Sequence, residues 1–131
     1  MPKIYGSKIM NLPDLHNNNI QSYLDKAEII LETAQQIMKD FGMFGVEITF
    51  SGNTEQAYYE LHEQLTFQVE KLLANNAELL MSVLYQVDIS DREIAKSAEE
   101  LSHYNHIEII AHQIIFRDLK KVLFRRYYRN I

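Results

Sequence analysis

A chain of 131 residues, 47% hydrophobic and 24% charged, is one domain's worth of polypeptide and can bury a single core. It has no cysteine, which excludes disulfides, thiolate zinc sites and a cysteine nucleophile, and no apolar run approaches the ~18 residues of a membrane helix. The net charge of −5 hides a polarity: Arg117 to Ile131 carries six of the thirteen Lys and Arg residues against one acid, Asp118, leaving −10 on residues 1–116.

Residues 1–19 are polar and irregular, and Met1-Pro2-Lys3-Ile4-Tyr5-Gly6 lacks the apolar core of a signal peptide, so a cytoplasmic location is expected. Asn17-Asn18-Asn19 can accept bonds from the first free N–H groups of a helix. An amphipathic run follows, with Ile20, Tyr23, Leu24, Ala27, Ile30, Leu31, Ala34, Ile37, Met38 and Phe41 at three- and four-residue steps. Ile29 points off that stripe and hints at a second contact. Gly42 is the expected left-handed stop.

Between Gly45 and Gly52 the period changes to two, with Val46, Ile48 and Phe50 alternating with Glu47 and Thr49. A lone strand has nowhere to send its backbone hydrogen bonds, so residues 45–51 are read as an extended loop rather than a paired strand. Asn53-Thr54 opens the next helix, in which Ala57, Tyr58, Leu61, Leu65, Val69, Leu72 and Leu73 share a face. Leu79, Leu80, Val83 and Val87 stay in phase with them. One helix over 55–87 would be about 50 Å long and would overhang a globule of this size. A break at Asn75-Asn76, or a dimer covering the excess, is therefore expected.

Ser90 with Glu93 is a capping box for a third helix, whose face is read as Ile94, Ala95, Ala98 and Leu101. His103-Tyr104-Asn105-His106 is a corner, and a final helix runs from about Ile107 to Tyr128. Ile107, Ile110, Ala111, Ile114 and Ile115 form one apolar patch, and Phe116, Leu119, Val122 and Leu123 continue it around the axis. A helix that apolar is central in the bundle or covered by a second chain. The expected fold is all-α: one helical domain over 1–131, an antiparallel bundle of four or five helices. Its core should draw on Leu24, Leu31, Ile37, Phe41, Leu61, Leu65, Leu72, Val83, Leu101, Ile110, Ile114 and Leu119.

Few motifs carry chemistry. There is no phosphate loop, nucleophile elbow or calcium loop, so no catalytic residue and no cofactor is assigned. Glu100 and His103 make one Glu-x-x-His step of the kind that holds metals in helical bundles, and Glu99 and His106 lie close by. The matching second step is absent, and these residues fall opposite the apolar face. His62 sits at the edge of its helix's apolar stripe and reads as a hydrogen-bonded, half-buried histidine.

The C-terminal helix is the main functional handle. Arg117, Lys121, Arg125 and Arg129 follow at four-residue steps, Lys120 and Arg126 flank them, and Phe116, Phe124, Tyr127 and Tyr128 are interleaved. Pairing of these cations with the acidic body is the weightiest reading, ahead of a protein partner and then of nucleic acid or anionic lipid. The functional expectation is a small non-catalytic interaction module that self-associates, as a dimer, or docks a protein partner through this helix. Alternatives are a nucleic-acid-associated protein acting through residues 117–131 and a metal-binding enzyme using Glu99, Glu100, His103 and His106.

Overall fold

The computed structural model describes residues 26–129, apart from the side chains of Tyr127 and Arg129. Five α-helices and no strand occur among them: α1 (Ala27–Gly42), α2 (Ala57–Asn75), α3 (Ala77–Val87), α4 (Asp91–Glu100) and α5 (His106–Arg129). The expected Asn17–Asn19 cap, the first turns of the amphipathic run and Leu24 lie outside the described residues. No described helix is long and apolar enough to cross a membrane.

Side-chain pairings fix the helix directions. Arg126 on α5 meets Glu28 near the start of α1, and Lys121 meets Asp40 near its end. Likewise His112 meets Tyr58 while His62 meets Glu108, four residues earlier on α5 and four later on α2. Both α1 and α2 therefore run antiparallel to α5, which also packs against α3 and α4. The bundle is built around α5.

That central place accounts for the girth of α5. Ile109, Ile110, Ala111, Ile114, Ile115, Leu119, Val122 and Leu123 are all buried by the chain's own helices. The apolar width of residues 107–123 therefore does not by itself call for a second chain. Among the described side chains of α5, Phe124 and Tyr128, further along, are the large apolar ones that remain exposed.

Residues 43–53 form an extended connection without a sheet partner. Val46 and Ile48 are buried and Phe50 half-buried, while Glu47 and Thr49 face out, so the alternation reports one-sided packing. The backbone bonds go to side chains of α2 instead of a strand. Thr49 N–H donates to Gln64 Oε1 at 3.0 Å, and Gln64 Nε2 donates back to the Thr49 carbonyl at 2.6 Å. Ser51 donates both its N–H and its hydroxyl to Glu60, at 2.8 and 2.7 Å. Gln64 and Glu60 thus do the work of a neighbouring strand. The left-handed residues in this region are Gly45, at φ 76°, and Gly52, at φ 94°, rather than Gly42, which stays helical.

The long second helix breaks at Asn76. Its φ of −158° ends α2, and its side chain accepts from Leu79 N–H at 3.1 Å to start α3. The Ser90–Glu93 capping box opens α4, and Asn105 with Glu108 forms a second one at the start of α5.

Three core expectations are corrected. Leu31 is 46% exposed, because α1 is rolled so that Thr33 and Asp40 turn inward beside Ile30, Ala34 and Ile37, burying Ile29 on the same flank. Leu73 faces solvent as α2 approaches its end. On α4 the inward residue between Ile94 and Leu101 is Ser97, held by a hydrogen bond from the Gln113 amide, which leaves Ala95 and Ala98 exposed.

Candidate docking groove on the C-terminal helix

Four of the predicted cations, Arg117, Lys121, Arg125 and Arg126, are paired with carboxylates of the acidic body. Arg117 bonds Asp88 at 2.8 Å; Asp88 occupies the left-handed cap of α3 at φ 75°. Arg125 reaches Glu32 at 3.2 Å and Gln36 Oε1 at 2.7 Å. Arg126 bonds Glu32 at 2.9 Å and Glu28 at 3.3 Å. Burial would lift the Glu32 carboxyl, but the hydrogen bonds and charges of Arg125 and Arg126 outweigh it and hold the group below its ordinary range. Lys120 reaches no carboxylate among the described residues and lies 6.0 Å above the Phe116 ring. The side chains of Tyr127 and Arg129 fall outside the described set.

A groove of about 460 Å³ opens along this ridge, lined by Gln36, Arg117, Lys120, Lys121, Phe124, Arg125 and Tyr128. Four cations line it and no carboxylate does. Phe124 and Tyr128 stand edge to face, 4.8 Å between centroids, and are 48% and 52% exposed. Cations and apolar ring surface are thus offered together. Such a surface suits an acidic ligand that also carries apolar groups.

Beneath the groove lies a buried charge cluster. Asp118 and Asp40 are 0% and 1% exposed, and Lys121 Nζ sits 3.4 Å from Asp118 and 3.8 Å from Asp40. Gln36 Nε2 donates to Asp40 Oδ1 at 3.0 Å. Burial, and then the neighbouring Asp40 carboxyl, push Asp118 up to about 8; Lys121 opposes the rise only in part. Asp118 therefore keeps its proton at neutral pH.

At the other end of α5, Tyr58, Tyr104, His62 and His112 pack together. Burial, with smaller contributions from His62 and His103, lowers His112 to about 4, and burial raises the Tyr58 phenol. The Tyr58 hydroxyl shares hydrogen bonds with His112 Nδ1 at 2.6 Å and with the Tyr104 hydroxyl at 3.0 Å. His62 Nε2–H donates to the Glu108 carbonyl at 3.0 Å, and its ring stacks on Tyr104. The cluster clasps α2 and the α4–α5 corner to α5.

The four residues considered for metal are not brought together. Here α4 ends at Glu100 and His103 lies in the following turn, so the Glu-x-x-His step is not helical. Glu99, Glu100, His103 and His106 are all exposed, and among the described residues no three His, Asp or Glu side chains converge to hold a metal ion.

Asp40 and Asp118 were not picked out from sequence, although a signal existed. Asp118 lies four residues from both Ile114 and Val122, in phase with the buried stripe rather than with the basic ridge. Protein-family models, curated proteins and solved structures yield no match to this chain.

Proposed function

We propose that the protein is a small non-catalytic helical interaction module that docks a protein partner through the outer face of α5. The observation that carries this reading is the groove: four cations without a lining carboxylate, beside two half-exposed aromatic rings. Arginine and aromatic side chains are the groups that most often anchor protein interfaces. Nucleic acid is the weaker occupant. Arg117, Lys121 and Arg125 are already paired with carboxylates, so little counterion release is left to drive phosphate binding, and the rest of the chain is acidic.

The test is site-specific photo-crosslinking in the native host, with the reactive group at position 124 and a control at position 99. A discrete protein adduct is expected at 124 alone. It should disappear on adding Lys120→Glu, and the protein so identified should bind the purified chain with the same dependence on Lys120. An adduct indifferent to Lys120, an equal yield at 99, or a nucleic-acid adduct would overturn the proposal.

A further inference from the structure

We infer that the surface seated in this groove is the outer ridge of α2 from a second copy of the same chain. The inference rests on the docking reading above and names its partner. Along α2, Tyr59, Glu63, Phe67 and Glu70 follow at steps of four, four and three residues, so they stand on one outward strip. Tyr59 and Phe67 are each 60% exposed, unusual for rings on a helix with ample core to enter. Glu63 and Glu70 are exposed and form no ion pair among the described residues. Lys71 is the one base on α2, against three glutamates, and Glu60 is engaged by Ser51.

The two ridges are complementary in kind and in length. One presents carboxylates and rings, the other cations and rings. Tyr59 to Glu70 and Arg117 to Tyr128 each span eleven helical steps, roughly 16 Å at 1.5 Å per residue. Phe67 is sized for the groove beside Phe124 and Tyr128, where a third ring can extend their edge-to-face arrangement. Glu63 and Glu70 then supply Lys120 with the carboxylate that no described residue of its own chain provides. The surfaces are unlike and every copy carries both, so the contact closes as a dimer where both ridges engage about a two-fold axis and propagates head to tail where they do not.

Sedimentation of the full chain at low salt tests this. The wild type should form a dimer that weakens as salt is raised. Lys120→Glu, and separately Glu63→Lys with Glu70→Lys, should each weaken dimerisation about tenfold or more. An equimolar mixture of these two variants should recover a heterodimer, because each reversed ridge then meets its opposite. Circular dichroism and thermal melting confirm that the variants are folded. Failure of folded variants to recover on mixing overturns the inference, as does a wild type that stays monomeric at high micromolar concentration. If the wild type is monomeric while crosslinking at 124 still captures another protein, self-pairing falls and the docking reading stands. If neither is seen, both fall.

Discussion

Two buried polar clusters sit on α5 only six residues apart, at His112 and at Asp118, and they solve burial in opposite ways. Around His112 the Tyr58 hydroxyl joins Nδ1 and the Tyr104 hydroxyl in a chain of hydrogen bonds, and burial favours the neutral forms of His112 and Tyr58. Around Asp118 both carboxylate oxygens lack a conventional hydrogen-bond partner, as does Asp40 Oδ2, and the compensation is the Lys121 ammonium at 3.4 and 3.8 Å. Neutral dipoles can be satisfied by adding one more donor. Two like charges cannot, and the alternatives are a retained proton or a counter-ion. Here the Lys121 ammonium is the counter-ion, and burial beside Asp40 pushes Asp118 toward its protonated form.

The difference predicts unequal responses to losing one member. Lys121→Ala should be the most damaging change, because it strands the aspartate pair without its cation; a loss of about 3 kcal/mol is expected for breaking such a buried arrangement. Urea denaturation measures it, with Lys121→Arg as the charge-preserving control. A loss below about 1 kcal/mol would mean that water already compensates the pair, and the contrast between clusters would vanish. Tyr58→Phe should cost less, about 2 kcal/mol, since it removes one hydroxyl and leaves His112 Nδ1 without that hydrogen bond while the ring packing survives. A cost equal to that of Lys121→Ala would show that charge is not what sets the two sites apart.

The same contrast explains what could be read from the sequence. The local signals were legible because each is closed within a few residues. Ser90 with Glu93 caps α4, Asn76 divides the long helix, and Val46 and Ile48 alternate with outward neighbours. What failed was the rotation of helices that bury polar side chains. Counting Thr33, Asp40 and Ser97 as solvent residues rolled α1 and α4 the wrong way and placed Leu31, Ala95 and Ala98 inside. The basic ridge was visible in the four-residue steps of Arg117, Lys121 and Arg125. Its partners were not: Glu32 is 93 residues from Arg125, and no local pattern marks such a pair. Asp118 was hidden differently. It was counted as one charge within a basic tail, whereas its phase along α5 puts it in the core.

The pH dependence of stability separates the clusters with the smallest effect per unit. Asp118 has an ordinary value of 3.8 and is raised to about 8 in the folded chain, so folding retains a proton that the unfolded chain releases. Its contribution to stability is complete below about 3.8 and is lost as pH rises toward 8. His112 behaves in reverse: its ordinary value of 6.5 falls to about 4, so its contribution is present above 6.5 and is lost as pH falls. Between about 4 and 6.5 the two slopes oppose and nearly cancel. From 6.5 to 8 the Asp118 contribution, of these two, is the one that changes, and it should decline by up to about 1.4 kcal/mol per pH unit. Denaturation midpoints measured across that range should therefore show a plateau followed by an alkaline fall. Asp118→Asn should flatten the fall, because an amide cannot ionise. An alkaline decline that persists unchanged in this variant would move its origin away from the buried pair.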